Sequence, residues 1–406
     1  MSGLLGILVM LLVAWAASEA RGAIRYGDAA RTLALQIGIA ALAILTPVGT
    51  AILGACSRGV QQAINYANDG IRFMFGPLAD PGGGVILAFQ VLPVIIFIAA
   101  VFSILFHLGV MNVVIRFIGG GIRRLTGASK LESTCSAANI FVGMAEAPLT
   151  ILPYLPKLSR AQLFTVMALG LASVSGSVLA AYAALGMRAD LLLTAAFMAA
   201  PGGLLMARLL VPETGEAFDI DKPDQAPVRR SSSIIDAATT GAQTGLNIML
   251  SVIAVLVAFV AIIALINGIT GMVGGWFGYP DVTVQSLLGY LFAPVAWLIG
   301  VPWGEAVQAG PFLSEKVIVN EFLAYANFTA VKDGFSEQGQ IAMTIALCGF
   351  ANLTGLAILI AGLSAVIPDR RTEVSALGLK TVLAGTLSNF MSAAIVSVMF
   401  AIKAFF

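Results

Sequence analysis

TVMALGLASVSG, residues 165–176, has a counterpart 179 positions later, TIALCGFANLTG at 344–355. Gly170, Ala172 and Gly176 fall on Gly349, Ala351 and Gly355, and Ser175 falls on Thr354. Each copy follows a segment too interrupted to be one membrane span and too apolar to be a loop. The first, 125–156, contains Asn139, Glu146, Pro148, Pro153 and Pro156; the second, 295–328, contains Pro302, Pro311, Asn320 and Glu321. Non-helical backbone persists at membrane depth only where it is buried in protein or lines a cavity. Both segments therefore read as re-entrant hairpins, each followed by a related span.

The rest of the chain supplies the bilayer. Of 406 residues, 59% are hydrophobic and 11% charged, and the mean hydropathy is +0.96. Such a composition describes an all-α polytopic membrane protein. Apolar runs of spanning length occur at 2–19, 32–54, 84–108, 161–186, 190–211, 240–270, 338–366 and 374–403, which predicts eight transmembrane helices beside the two hairpins. The formal charge is +1 and the basic residues are scattered, so no nucleic-acid surface is expected. Cys56, Cys135 and Cys348 lack metal-ligand spacing, and His107 is the only histidine. Zinc-protease and histidine-triad chemistry are thereby excluded, and no enzyme activity is expected.

The N-terminal apolar run has no basic residue before it and Arg21, Arg25 and Arg31 after it. This charge order favours an uncleaved first span with its N-terminus outside. With both termini outside an inner (plasma) membrane, 16 Lys and Arg fall on the cytoplasmic side. Six, Arg58, Arg72, Arg188, Lys316, Lys332 and Lys403, fall on the outer side. The positive-inside rule selects this topology. The hydrophilic stretch 212–233 becomes a cytoplasmic linker, and VIRFIGGGIRRLTG (114–127) an interfacial helix. The fourth and seventh spans then run in opposite directions, so the repeats are inverted, the pattern of a secondary transporter with a site near midplane. Four regions follow: scaffold spans at 1–110, a first repeat at 111–211, the linker with span six and an external helix at 212–294, and a second repeat at 295–406.

Polar residues cluster at the expected midplane. They are Asn139 and Glu146, then Ser173, Ser175 and Ser177, with Asn320 and Glu321, then Asn352 and Thr354 in the second repeat. A carboxylate at this depth needs donors, which a polyhydroxylated or NH-rich substrate, a cation or a proton can supply. No lysine or arginine is read as lying near either glutamate in the sequence.

The motifs SAANIFVGMAEAPLTILPYLPKL, GLASVSGSVLAAYAALG, NEFLAYANF and CGFANL resemble the concentrative nucleoside transporter family, over most of residues 84–403. The resemblance implies sodium-coupled nucleoside uptake by an elevator-type homotrimer in the lipid bilayer. Proton coupling is the alternative, and a channel the reading from a different class. It also implies site residues. Gly143, Met144, Ala145, Glu146, Ser177 and Val178 would read the base, while Glu321, Phe350, Asn352 and Gly355 would lie along the ribose. The coupling ion, Na+, would sit among Asn139, Val142, Ser173 and Val174. Many relatives have GQTEAP where this chain has GMAEAP, so Met144 and Ala145 replace a Gln and a Thr, and Gly355 replaces a serine of some members. Met144 and Val178 resemble the purine-preferring branch.

Overall fold

The computed structural model describes residues 2–79, 86–218, 231–279 and 281–404, and its described residues form helices without any strand. In chain order these are α1 (Ser2–Ala16), α2 (Tyr26–Leu45), α3 (Pro47–Phe75), α4 (Leu87–Gln90), α5 (Val94–His107) and α6 (Val110–Thr126). The first hairpin pairs α7 (Lys130–Ala138) with a 3-10 segment, Ala147–Lys157. Then come α8 (Arg160–Ala172), α9 (Gly176–Ala184), α10 (Ala189–Leu210), α11 (Ile234–Trp276) and α12 (Val284–Leu298). The second hairpin is α13 (Trp303–Ile318) with α14 (Glu321–Val331), followed by α15 (Glu337–Leu347), α16 (Leu353–Val366) and α17 (Arg371–Lys403).

Six stretches among the described residues are long and apolar enough to cross a bilayer: Tyr26–Leu45, Leu87–His107, Arg160–Ala184, Ala189–Leu210, Ile234–Trp276 and Pro368–Lys403. α1 and α16 are shorter apolar helices, and the bent pair α12–α13 passes the same test as one unit. The two interrupted spans stop for a local reason. α8 ends at Ser173, whose backbone is extended, and the Ser175 hydroxyl then accepts from the Val178 N–H to start α9. α15 ends at Cys348, and the Asn352 side chain accepts from the Gly355 N–H to start α16. Ser and Asn compete for backbone groups in this way and so favour helix starts over helix interiors.

The caps also correct the repeat register. Ser159 and Ser336 open α8 and α15, while Ser175 and Asn352 open α9 and α16. Both pairs stand 177 residues apart, two fewer than the sequence match. Similar small residues align at 179, but the helix starts follow the cap chemistry.

Other boundaries differ as well. The span expected at 32–54 stops at Leu45, because Thr46 caps a new helix with Pro47 in its first turn. α3 is amphipathic and had no counterpart in the reading of the sequence. α12 and α13 meet at a 116° bend, where Gly300 takes the left-handed conformation (φ 107°). The repeat boundary expected at 295 thus falls inside α12. Residues 219–230 of the expected linker, with Lys222, Arg229 and Arg230, lie outside the described residues, as do Met1 and 405–406.

α11 packs on α5 through Gly241 and Gly245; a Cβ at Gly245 would lie 2.6 Å from the Ile96 Cα. The bulk of α11 stays uncovered, with Val257, Leu265, Met272 and Trp276 exposed. α8, α9, α10 and α17 form the buried centre. At one end, Glu19 receives Arg160 and Lys380 at 3.0 and 2.9 Å. The Arg160 hydrogen bond leads in holding its carboxyl below the usual range. Arg208 meets the carbonyls of Asp28 and Thr126, and Arg370 those of Leu155 and Leu158.

Candidate functional site

The first hairpin is sewn to the first break. α7 ends at Asn139, whose Nδ2 donates to the Cys135 carbonyl at 3.0 Å. Ser173 Oγ approaches Asn139 Oδ1 at 3.5 Å. The Gly176 N–H donates to the Phe141 carbonyl at 2.9 Å, and the hydroxyls of Ser175 and Ser177 lie 3.1 Å apart. Glu146 folds back over Gly143: a Cβ there would sit 2.6 Å from Glu146 Oε2. Only glycine leaves this carboxylate its place. Val142, Gly143 and Glu146 are half-buried, Ala145 is exposed, and Val174 is buried in the break.

Glu321 is held quite differently. It opens α14, behind Asn320, whose Oδ1 accepts the Leu323 N–H at 2.8 Å; a helix N-terminus favours negative charge. Tyr182 OH donates to Glu321 Oε1 and Asn352 Nδ2 to Oε2, each at 2.7 Å. Asn352 Oδ1 meanwhile accepts the Gly355 N–H at 2.7 Å, so one amide caps α16 and fixes the carboxylate together. Glu321 is 5% exposed. Gly355 lies against the Phe350 carbonyl, where a Cβ would collide, which explains glycine at that position. The Phe350 N–H donates to the Ser173 carbonyl at 3.1 Å, joining the two breaks.

Three residues of this site escaped the reading of the sequence. Tyr182 is buried in the alanine-rich α9. Lys316, assigned to the outer surface by the charge count, is fully buried: its Nζ donates to Asn389 Oδ1 at 2.9 Å. Asn389 Nδ2 in turn donates to the carbonyl of Ala172, the last residue of α8, at 2.7 Å. Lys316 stands on the same hairpin as Glu321, so a basic residue does lie near this carboxylate in the chain. Its position five residues upstream was the available signal.

A cavity of about 780 Å³ reaches Val142, Gly143, Glu146, Ser175 and Ser177. Met144, Ala145, Val178, Glu321, Phe350, Asn352 and Gly355 do not line it. Met144 is buried against Gly170 of α8, where an added Cβ would stand 3.0 Å from its own. Of the ten expected substrate residues, Gly143, Glu146 and Ser177 thus line the open cavity and the other seven do not. Among the described residues no cluster of His, Cys, Asp and Glu could hold a transition metal. Asn139 and Ser173 offer uncharged oxygens, which suit an alkali cation.

Residues 5–78, 88–189 and 191–397 match family models described as the N-terminus of Na+ dependent nucleoside transporters, nucleoside recognition, and the C-terminus of Na+ dependent nucleoside transporters. The chain belongs to the Na+-dependent nucleoside transporter family. The nucleoside permease NupC of Helicobacter pylori is 40% identical over 98% of this chain and 97% of its own length. An uncharacterized transporter of Bacillus subtilis, YutK, is 45% identical over 97% and 98%. The inward-facing, substrate-bound structure of CNTnw matches with a TM-score of 0.94 at 44% identity, over 99% of this chain and 98% of that one. An outward-facing CNTnw structure matches equally well. The chain is a sodium-coupled nucleoside transporter working by elevator-type alternating access, and not an enzyme.

Proposed function

We propose that the two carboxylate groups divide one nucleoside between them. Glu321, oriented by Tyr182 and Asn352, accepts hydrogen bonds from ribose hydroxyls, with Phe350 and Gly355 alongside. Glu146, with Gly143, Met144, Ala145, Ser177 and Val178, faces the base. The observation that carries this reading is the preorganisation of Glu321, with both oxygens already held at 2.7 Å. A fixed charged acceptor discriminates strongly for hydroxyls, because an analogue lacking them leaves it underpaired.

Sodium enters as the co-transported ion, held by Asn139 Oδ1, Ser173 Oγ and the carbonyls of Val142 and Val174. It ties the hairpin tip to the break in the fourth span. The same loop presents Glu146, so ion binding orders the base-facing end of the site before substrate arrives. Proton coupling would instead need a carboxylate as carrier; the neutral oxygens of Asn139 and Ser173 favour sodium. Uptake into proteoliposomes under a sodium gradient, with choline replacement and a protonophore as controls, tests the assignment. Uptake that ignores sodium but collapses with the protonophore would reverse it.

The absence of an amide at 144 and a hydroxyl at 145 leaves fewer groups to fix a small pyrimidine, so purine nucleosides bind better. The cation-rich end carrying Arg160, Lys380, Arg208 and Arg370 is cytoplasmic, which puts both termini outside. Three copies assemble, with the uncovered apolar length of α11 supplying contact surface; cross-linking in native membranes reads the copy number.

A further inference from the structure

The α6 side of the cavity has a character that nucleoside transport does not require. Asn112, Ile115, Arg116, Gly119, Gly120 and Arg123 of α6 all line it, a spacing that places them on one stripe of the helix. Lys130, at the start of α7, lines it too. Arg124, one position on, does not. Between the arginines, Gly120 has open space where a side chain would stand. α11 contributes, among the described residues, only uncharged groups to the lining, Thr240 and Thr244 among them. Among the described residues, none of the side chains of Arg116, Arg123 and Lys130 has a hydrogen-bond or ion-pair partner. Glu146 is, among the described residues, the one carboxylate lining the cavity, and it belongs to the substrate group.

Nucleosides are uncharged at neutral pH, so three unpaired cations at the mouth contribute nothing to holding them. Membrane-interface arginines often serve topology alone, by reaching for headgroups; these face the cavity. We propose that Arg116, Arg123 and Lys130 form a phosphate site at the mouth of the transport cavity. The two guanidiniums flank the glycine gap, each able to give a charge-assisted pair of hydrogen bonds, and the lysine adds a point charge. A nucleoside monophosphate would fit there with its sugar and base directed into the cavity. It would then obstruct nucleoside binding from the side where phosphorylated nucleosides accumulate. An anionic phospholipid headgroup carries the same chemistry and is the second source. The inference rests on the nucleoside assignment for what the phosphate is attached to, but not for the phosphate site.

The test uses full-length protein in phosphatidylcholine nanodiscs, loaded with labelled adenosine in sodium buffer and titrated with adenosine 5′-monophosphate. Direct calorimetry with the monophosphate and with inorganic phosphate runs alongside. The expected result is displacement that weakens with salt and becomes about tenfold weaker in the Arg116→Gln/Arg123→Gln variant, through loss of charge-assisted contacts. Adenosine binding itself should be unchanged in that variant. Inorganic phosphate should relieve the displacement without removing adenosine. If the headgroup is the resident ligand, phosphatidylglycerol nanodiscs should bring the unmodified protein down to the variant's level, which supports the same site. Equal displacement and equal calorimetric binding in variant and parent would overturn the proposal, as would no binding of either phosphate in neutral lipid. A failure of adenosine to bind at all would strike the nucleoside site instead, with calorimetry still deciding the phosphate site.

Discussion

Glu146 and Glu321 each stand where the second arm of a hairpin begins, yet they live in opposite conditions. Glu321 is buried, sits at a helix start and receives a tyrosine hydroxyl and an amide. Glu146 folds over a glycine at the edge of an open cavity, in a loop with 3-10 character rather than a helix. One carboxylate is set before the substrate arrives, and the other waits for partners. An inverted repeat can therefore duplicate a scaffold while its two halves take separate tasks. In the proposed division, the fixed half takes the invariant sugar and the adaptable half takes bases that differ in size and edge chemistry.

The sharpest way to break this contrast is Glu321→Ala. It removes the acceptor and leaves the Tyr182 hydroxyl and the Asn352 amide without their partner, at about 1–3 kcal/mol for each unpaired group. Ribonucleoside uptake should become undetectable while the protein still elutes as the parent does on size exclusion. A normal rate would mean the ribose is held elsewhere. Asn139→Ala acts on the other half by removing an oxygen from the hairpin tip. Half-maximal uptake should then need at least about tenfold more sodium, given that a lost contact to a charge is worth about 1.5–3 kcal/mol; an unchanged sodium curve would separate this residue from the ion.

Tyr182→Phe tests preorganisation without emptying space, since the ring stays between Phe322 and Tyr325 at centroid distances of 5.7 and 4.5 Å. Loss of one hydrogen bond to a charged group, about 1.5–3 kcal/mol, should raise the Kd for ribonucleosides while sodium dependence persists. A shift in sodium affinity alone would contradict the division of labour. Met144→Gln with Ala145→Thr should move competition toward pyrimidines by about 1–3 kcal/mol. Uridine or cytidine as the best ligand of the unmodified protein would remove the purine preference. Glu19→Gln is the smallest change and lies outside both halves. Its depressed carboxyl adds stability above the ordinary carboxylate range that disappears as pH falls through its own value. The variant's Tm should accordingly fall less steeply on acidification, with transport unaltered at neutral pH.

The spans and hairpins were legible because hydropathy and breakers act locally, and Asn352 and Ser175 announce helix starts by their own chemistry. The pairing of Tyr182 with Glu321 was not, since 139 residues separate them and no helical periodicity links α9 to α14. Lys316 misled for a related reason. A charge count treats lysine as solvated, whereas here Asn389 reaches from α17 to receive it. α3 was missed because its polar residues, among them Arg58, Gln61, Asn65 and Asp69, dilute the apolar signal over 29 residues. Its start at Thr46–Pro47 is visible only as capping chemistry.

α1 and α11 set the membrane a geometric problem. With 15 residues α1 is about 22 Å long, and with 43 residues α11 is about 64 Å long. A hydrocarbon core of about 30 Å lies between these lengths. Both helices expose leucines or other large apolar side chains outward, so lipid meets a short wall at α1 and an overlong one at whatever part of α11 neighbouring copies leave uncovered. Bilayer thickness around the transporter is then uneven, and part of the work of moving between states is done on the lipid. Acyl-chain length should consequently tune turnover, even in bilayers where nucleoside and sodium affinities are identical.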